Sequence, residues 1–507
     1  MTTKSSIQLI LFISTILFFS SCSKDDPSSS NLYDESYTFE EPEITGNTFY
    51  IDPENGSMDG DGSKENPWKT LQEVFENNLI QYYKNSESYN PESELVLVNE
   101  DAPVKGGDRL ILKSGYHGFL RLSVLMLNDW LTIEAAEGET PVLSQIMLNG
   151  AFKNVYFKNL TVIKSAYQGD ENYWEASEIT RNSNACVYLG SSDFWGKGSN
   201  VKLSGLTLKT TSEVSEWTAD DWVQKAASGV SLRSVEFVEV VDCDIENISF
   251  GISAGYSSEN AKIIGNTVTN FSGDGSRVTS NNVLFAYNTI MGCLKVDDNH
   301  DDFMQSYSRG EDNSVGTGTV SNVIIRGNLF ISIIDPDNPL AGSAQGVGCF
   351  DGMFDSWVVE NNVIISNTYH GISFYGFTNS KIVNNTVIDQ VPGDNVSPWI
   401  MIHAHKNGTQ SSNCIIANNI VSSSVSYDGL DIEIQSNYVI GKSNYDSVYY
   451  MFVDPDNNDL HLLDNYYTRE KVIDKGTLFS ELVSSEADKE KYKRDGSPDI
   501  GAYELKK

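Results

Sequence analysis

The chain has 507 residues and a formal net charge of −35, because 70 Asp and Glu residues outnumber 35 Lys and Arg residues. Hydrophobic residues make up 39% of the sequence and aromatic residues 11%, which excludes collagen-like, low-complexity and wholly disordered chains. A surface this anionic repels phosphate backbones, so we expect no nucleic-acid partner.

The N-terminus predicts a targeting signal. An apolar run over 7–19 follows a basic residue and is too short to span a bilayer. The small residues before Cys22 resemble the lipobox of bacterial lipoproteins, and Ser23–Asp26 resembles the export tag of surface lipoproteins of the Bacteroidetes. This resemblance implies a lipoprotein signal peptide over 1–21, lipidation of Cys22, and a lipid-anchored protein on the extracellular face of the cell outer membrane. The alternative is an ordinary secretory signal followed by an incidental cysteine.

Two further segments precede the main body of the chain. Residues 22–45 are polar and acidic, and we expect them to form a flexible tether. Residues 68–75 have the pattern of an amphipathic helix, which we expect to cover the exposed first edge of the structure that follows.

The middle of the chain repeats a short pattern of an apolar pair, one or two residues, an Asn or Asp, and further apolar residues. The Asn or Asp of each copy is Asn159, Asp244, Asn266, Asn288, Asn328, Asn362, Asn385 or Asn419. The steps from 244 to 266 and from 266 to 288 are 22 residues, and the step from 362 to 385 is 23. A period near 22 residues made of short alternating strands, with no helical pattern between them, predicts a parallel β-solenoid.

Two other repeat architectures fit this pattern less well. A leucine-rich repeat has a similar length, but its Leu framework is missing, and a β-propeller needs units about twice as long. In a β-solenoid, an Asn at a fixed turn can stack on the Asn of the next coil and satisfy its amide along the axis. The crossover rule for parallel strands makes the solenoid right-handed.

The cysteines give no disulfide pattern. Apart from Cys22, which the lipobox resemblance assigns to lipidation, five of the six cysteines remain, and an odd number cannot all pair. None shows CxxC spacing, so we expect buried free thiols. Five of them lie within or beside apolar strand-like runs: Cys186, Cys243, Cys293, Cys349 and Cys414.

Both ends of the repeat region resemble secreted right-handed parallel β-helix proteins of the pectin-lyase-like superfamily. The segments that carry the resemblance are Phe49–Gly56, Gly60–Gly62, Pro67–Leu71, Gly107–Leu112 and Asp499–Glu504. The resemblance covers 48–507 and implies an all-β fold, with a parallel β-helix over 46–450 behind an N-terminal capping helix and a C-terminal capping segment over 451–507. That superfamily holds lyases, hydrolases, epimerases and non-enzymatic adhesins, so the resemblance is much weaker for the reaction than for the fold.

Alignment of the coils predicts one outward-facing row of side chains, since alternate residues of a strand point to opposite faces. We expect this row to hold Gln305, Tyr307, Phe350, Tyr375, Trp399, His403 and His405, with Asp301, Asp302 and His370 at the strand entries. Coils stack about 4.8 Å apart, so residues distant in sequence become neighbours. Aromatic rings in such a row commonly stack on sugar rings, although a solvated surface is the alternative interpretation.

The densest polar motif lies at 297–302. Asp297, Asp298, Asp301 and Asp302 repel one another unless a cation binds, protons are retained or solvent screens them. Hard oxygen ligands at this density suit Ca²⁺, which we therefore expect as a cofactor, although the spacing is not that of an EF-hand. His300 could act as acid or base near neutral pH. The alternative is an acidic surface loop in an acidic protein.

Several functions remain open for these groups. β-Elimination from a uronic acid needs a base near C5 and a cation that neutralises the carboxylate. Candidates for the base are His300, Lys295, His403 or a Tyr. Candidates for the cation are Ca²⁺, Arg277 and Arg309. C5-epimerisation would use nearly the same groups. Inverting hydrolysis needs paired carboxylates, and Asp301-Asp302 with 369–373 resembles the paired-Asp and His-Gly elements of polygalacturonases, although they do not fall on adjacent coils here. A non-catalytic glycan-binding solenoid is the last alternative.

The sequence therefore predicts a monomeric polysaccharide lyase acting on a uronate-containing polymer, with a glycoside hydrolase as the second choice. The expected catalytic residues are Lys295, His300, Asp301, Asp302, His370 and His403. The expected substrate-binding residues are Arg277, Gln305, Tyr307, Arg309, Tyr375, Trp399 and His405.

Overall fold

Parallel strands build almost the whole molecule. The computed structural model describes residues 37–90, 92–168, 184–391 and 396–506. Within these ranges, each turn of the chain contributes short strands to three parallel ladders, and each strand of a ladder pairs with its counterpart one coil away. This arrangement is the right-handed parallel β-helix that the 22-residue repeat predicts.

The described strands fall into three main ladders, one short side ladder and two small antiparallel pairs. Ladder 1 is formed by Ala185–Gly190, Ser228–Arg233, Ile252–Gly255, Ser276–Val278, Asp302–Tyr307, Gln345–Asp351, His370–Tyr375, Trp399–His403 and Val425–Tyr427. Ladder 2 contains Thr48–Ile51, Arg109–Leu112, Gly198–Ser204, Val235–Val241, Lys262–Ile264, Val283–Ala286, Val323–Arg326, Val358–Glu360, Lys381–Val383, Ser411–Ala417 and Gly429–Gln435. Ladder 3 contains Gly115–Tyr116, Pro141–Leu143, Thr161–Ile163, Thr207–Lys209, Asp244–Ile248, Thr267–Phe271, Thr289–Cys293, Leu329–Ile331, Val363–Ser366, Thr386–Asp389, Ile420–Val421 and Tyr438–Val439.

Longer and shorter elements complete the solenoid. The strands Phe119–Ala135 and Gln145–Lys158 are long enough to run through ladders 1 and 2. A side ladder is formed by Thr319–Ser321, Met353–Asp355 and Phe377–Thr378. The antiparallel pairs are Tyr82–Asn85 with Leu95–Val98 and Phe452–Asp454 with Asp459–Leu462. The α-helices are Leu71–Glu76, Ala219–Lys225, Val448–Met451 and Tyr466–Lys471, and the 3₁₀ turns are Lys164–Ala166, Lys442–Ser447, Pro455–Asn457 and Val483–Ser485.

A ladder of buried asparagines fixes the register of the coils. Each side-chain amide donates to the side-chain oxygen of the next Asn at 2.8–3.1 Å. The members are Asn266, Asn288, Asn328, Asn362, Asn385, Asn419 and Asn437. The predicted stack is thereby confirmed, and no amide in it is buried without a partner. Asn159 and Asp244 were wrongly aligned with it. The backbone N–H that bonds to Asn266 belongs to Cys243, and the strand register places Leu160 at the corresponding position.

The core fills the inside of the coils. Phe303 lies between Phe271 and Phe330, with ring centroids 6.0 and 5.2 Å away. All five described cysteines are buried and free, as the sequence predicts. The interior is therefore a continuous apolar column that supports the side chains on the outer face of ladder 1.

The predicted N-terminal helix forms over Leu71–Glu76. The side chain of Thr70 caps it by accepting from the Glu73 N–H, and Leu71 and Val74 are buried against the core. Its Gln72 N–H donates to the carbonyl of His117 at 3.1 Å, so the helix is fixed to an early coil of the solenoid.

The C-terminal segment lies along the flank of the later coils. Carbonyls of Thr477, Ser484 and Ala487 accept from the side-chain amides of Asn418, Asn384 and Asn361. These three carbonyls meet three successive coils. The segment therefore covers a side of the solenoid, which is more than the end cap that the sequence suggested.

The N-terminal region is described only in part. The predicted signal peptide and Cys22 lie outside the described residues, as does most of the predicted tether. Its last part, from 37 onward, is held against the solenoid instead of being free: the Tyr37 hydroxyl donates to Glu239 at 2.8 Å, and Lys158 pairs with Glu41 at 2.7 Å. No helix in the described part of the chain is long and apolar enough to cross a membrane.

Candidate active site

The acidic motif delivers one carboxylate to the outer face of ladder 1. Asp302 begins the strand Asp302–Tyr307, and its side chain is only 1% exposed. Its backbone N–H donates to Oδ1 of Asp274 at 3.0 Å. Asp274, in turn, accepts from Nε of Arg277 at 2.5 Å. Two buried carboxyl groups and one arginine therefore meet on neighbouring coils.

The side chain of Asp302 is held from two directions. Nε2 of Gln305 donates to its Oδ2 at 3.1 Å, and Nδ1 of His300 lies 3.6 Å from the same oxygen. The other oxygen, Oδ1, is buried and has no hydrogen-bond partner among the described residues. It lies where a side chain at position 348 would be: a Cβ added to Gly348 would overlap Oδ1 and lie 3.1 Å from Cγ of Asp302. Gly348 therefore makes room for the carboxylate.

Burial and contact shift the proton affinities of this cluster towards neutrality. Burial raises the pKa of Asp302 to about 7 and also raises the pKa of Asp274. The Asp302 carboxylate, whose Oδ2 faces the imidazole, raises the pKa of His300 above its ordinary value. The His300 side chain is 65% exposed, so it is the member of the pair that meets solvent. A buried carboxyl group in contact with an exposed imidazole is an arrangement suited to acid–base chemistry.

The remaining residues of the acidic loop point elsewhere. Asp301 is buried, with one oxygen accepting from Asn299 at 3.0 Å and the other 3.7 Å from the sulfur of Cys293. Lys295 donates to the carbonyl of Asn299 and so secures the loop. Asp301 and Lys295, both expected as catalytic residues, therefore stabilise the loop in this structure.

The four carboxylates of the loop do not converge on one point. Asp302 is engaged with His300 and Gln305, Asp301 faces Cys293, and Asp297 accepts from the Asn299 backbone. Across the described ranges, no three His, Cys, Asp or Glu side chains are grouped so that they could hold a metal ion. The donor set including Asp298 therefore does not fit the Ca²⁺ that the sequence predicts, because that ion takes six to eight oxygen ligands.

An aromatic cluster covers the next coils of ladder 1. The ring of Phe350 lies edge-on to the rings of His370 and Tyr375, with ring centroids 4.8 and 5.4 Å apart. Trp399 stacks on Tyr369 at 5.2 Å. Burial lowers the pKa of His370, whose Nδ1 bonds to Ser373 at 2.9 Å. His370 is thus a neutral ring in an aromatic wall, well suited to contact a sugar face and less suited to proton transfer.

Two other predicted histidines lie further along the axis. His403 is three coils beyond Asp302, about 14 Å away at the usual coil spacing. Its Nε2 bonds to Ser426 at 3.0 Å, and its ring is parallel to Tyr375. His405 is only 7% exposed and closes the turn at 405–409. The structure therefore brings neither of them to His300, and the expectation that His405 faces solvent is wrong.

The predicted arginines follow ladder 1 in the other direction. Arg277 is the register partner of Gln305, and its guanidinium lies 4.3 Å from the ring centroid of Phe250. Arg309 lies over the ring of Tyr307 at 5.6 Å. These cations and the His300 side chain lie on the outward side of ladder 1 and the loop that precedes it.

Three residues within or beside the strands of ladder 1 were missed in the sequence. Asp274 lies in a Gly-Asp-Gly triplet directly before a ladder 1 strand, and that triplet is the one signal that pointed to it. Gly348 has a role only because Asp302 lies over it. Arg233 ends the strand Ser228–Arg233 three coils before Asp302, where nothing in the repeat distinguishes it.

Comparison with known proteins gives a likeness of fold at low identity. No family model and no curated protein matches the chain. Among solved structures, the chain is similar to the pectate lyase Pel9A, with 15% identity, coverage of 94% of this chain and 100% of that chain, and a TM-score of 0.41. It is also similar to the GH136 lacto-N-biosidase from Eubacterium ramulus, with 13% identity, 77% and 68% coverage, and a TM-score of 0.44. The A-module of the mannuronan C-5 epimerase AlgE6 from Azotobacter vinelandii matches at 13% identity, 65% and 90% coverage, and a TM-score of 0.39. These likenesses assign no activity to this chain.

Proposed function

We propose that this protein is an enzyme that acts on a uronate-containing polysaccharide and cleaves it by β-elimination. The observation that carries the proposal is the exposed His300, backed by the buried carboxylate of Asp302 and placed on the same face as Arg277. β-Elimination needs one proton acceptor and one cation near the substrate carboxylate, and this face provides both.

Two arginines support the proposal that the substrate is negatively charged. The whole chain is strongly acidic, yet Arg277 and Arg309 lie on one outward face. Among the described residues, Arg277 bonds to a carboxylate through Nε. Its two terminal nitrogens are the groups we assign to the substrate carboxylate, where a planar fork of N–H donors fits two oxygens.

The proposed chemistry follows from the roles of the three groups. His300 in its neutral form removes the proton from C5 of the uronate, and Asp302 stabilises the imidazolium that forms. The electron pair of the broken C5–H bond forms the C4–C5 double bond, the C4–O4 bond breaks, and water protonates the departing oxygen. Arg277 lowers the cost of charge on the substrate carboxylate while the proton leaves.

A panel of neutral and uronate-containing polysaccharides tests this proposal. The products are scored for ultraviolet-absorbing unsaturated ends and for reducing ends. Unsaturated ends formed from a uronate polymer support the lyase. Binding without any cleavage would instead identify a glycan-binding solenoid, and uronate inversion without cleavage would identify an epimerase.

An inverting glycoside hydrolase is the second candidate. The observation in its favour is the meeting of Asp274 and Asp302, since a carboxylic acid whose pKa is raised by burial is what a general acid needs. Against it, Asp274 is fully buried and already bound to Arg277. Reducing ends without unsaturated ends in the same panel would favour this alternative.

We also propose that a lipid on Cys22 anchors the protein to the outer membrane, facing outward. The support is the N-terminal sequence alone. Cys22→Ala should release the protein into a soluble fraction, and unchanged membrane partitioning of that variant would contradict the anchor.

A further inference from the structure

Three side chains outside the proton-transfer centre form a second cationic cluster on ladder 1. The guanidinium carbons of Arg233 and Arg309 lie 4.0 and 4.9 Å from the ring centroid of Tyr256. Arg233 ends one strand, Tyr256 follows the strand of the next coil, and Arg309 lies two coils further along the axis. We propose that Arg233, Tyr256 and Arg309 form a subsite for an acidic group of the polysaccharide, a carboxylate or a sulfate. This inference rests on the proposed polysaccharide substrate and names the chemistry of one of its distal units.

The charge balance of the cluster points to an anionic ligand. Within the described residues, neither Arg233 nor Arg309 forms an ion pair with a carboxylate, whereas Arg277 does. Two uncompensated cations held against one ring repel each other, and the ring face offsets this only in part. A bound anion would remove the repulsion and accept several N–H donors at once.

The backbone beneath Tyr256 is held in a conformation that its residue types disfavour. Tyr256 and Ser257 both have positive φ, at 53° and 66°. The turn is fixed by the Ser234 hydroxyl, which donates to the Tyr256 carbonyl at 2.6 Å, and by the Ser258 hydroxyl, which donates to Gly255 at 2.7 Å. Strain maintained in this way by surrounding bonds is typical of sites where a side chain must be aimed. Here it positions the Tyr256 ring beside both arginines.

A cavity of about 370 Å³ adjoins the cluster and is lined mainly by polar groups. Its lining includes Tyr256, Arg309, Thr279, Ser280 and Asn281. A smaller depression shares Tyr256 and Thr279 with it and extends to Arg277. The subsite is thereby continuous with the proton-transfer centre, about 10 to 15 Å away along the axis at the usual coil spacing. A chain lying along the axis could occupy both.

Binding, measured separately from cleavage, tests the subsite. The double variant Arg233→Gln/Arg309→Gln is compared with wild type by calorimetric titration, using polygalacturonate, its methyl ester, chondroitin sulfate and desulfated chondroitin as probes. All the proteins titrated, including the control and the reference that is wild type at 233 and 309, carry His300→Ala, so that no probe is consumed. A control variant, Arg469→Gln/Lys475→Gln, removes the same charge from the distant C-terminal segment.

The subsite predicts that the double variant weakens binding of at least one anionic probe tenfold or more while the control does not. Loss confined to polygalacturonate identifies a carboxylate, and loss that disappears on desulfation identifies a sulfate. Equal affinities of wild type and double variant for every probe, or equal losses in the control, would overturn the subsite. If the double variant has a lowered melting temperature, the variant Arg233→Lys/Arg309→Lys is used in its place. Weaker anion binding by this variant, with unchanged binding of the methyl ester, supports the subsite. Unchanged anion binding refutes the subsite. Anion binding that requires the arginines, together with no unsaturated ends formed by the protein with His300 intact, would refute the lyase and leave the subsite standing.

Discussion

The contact between Gly348 and Asp302 gives a prediction that needs no knowledge of the substrate. Gly348→Ala would place a methyl group on Oδ1 of Asp302, 3.1 Å from its Cγ. The Asp302 carboxylate is buried between His300 and Gln305 and has little room to move. Overpacking of this kind costs about 1–3 kcal/mol, so we expect the free energy of unfolding to fall by that amount.

A double-mutant cycle with Asp302→Ala isolates this contact. Once the carboxylate is removed, the added methyl group fills its space, so the cost of Gly348→Ala should largely disappear. The coupling free energy, measured by denaturant unfolding, should be about 1–3 kcal/mol. Gly496→Ala is the control, because a Cβ there meets no atom within 4 Å. Additive effects of the two substitutions would refute the placement of Asp302 over Gly348.

Three further outcomes follow from the same structure. The folded-state pKa of Asp302, about 7, lies above its ordinary value of 3.8, so the free energy of unfolding should fall as pH rises from about 4 through 7. Asp302→Asn should flatten this part of the pH–stability profile. An unchanged slope would contradict the burial of this carboxyl group. Ile372→Ala, at a fully buried position, should lower the free energy of unfolding by about 2–5 kcal/mol through a core cavity, as measured by denaturant titration. Because the carboxylates of the acidic loop do not converge on one point, exhaustive chelation should leave activity unchanged. A loss of activity that added Ca²⁺ restores would instead support the calcium site predicted from the sequence.

The solenoid could be predicted because its physical signal is repeated. Each coil buries one Asn at the same turn, and a buried amide must find a partner, so the spacing of Asn266 and Asn288 already indicates the stacking. The helix over Leu71–Glu76 was equally visible from its apolar face. Asp244 was placed one residue out of register because both Asn and Asp are common at such turns in the sequence pattern. In the structure, the backbone N–H of Cys243 donates to the side chain of Asn266.

The candidate site was less predictable because it depends on bends and on neighbours. Strict alternation fails at the start of the strand Asp302–Tyr307, where Phe303 and Met304 are both fully buried. Just before it, Asp301 contacts the sulfur of Cys293, a contact that strand alternation does not reveal. Asp274 was overlooked because its role comes from the N–H of a residue 28 positions later, on the next coil.

The most direct test of the central claim compares wild type, His300→Ala and His461→Gln on one uronate polymer. His461 is the control, since it lies in the C-terminal segment and pairs with Asp459 and Glu490. Formation of unsaturated ends should fall at least about 100-fold in His300→Ala, as expected for loss of acid–base catalysis, and should be retained in His461→Gln. Melting temperatures should stay close to that of wild type in both variants. Undiminished formation of unsaturated ends by a folded His300→Ala protein would contradict the assignment of His300 as the proton acceptor.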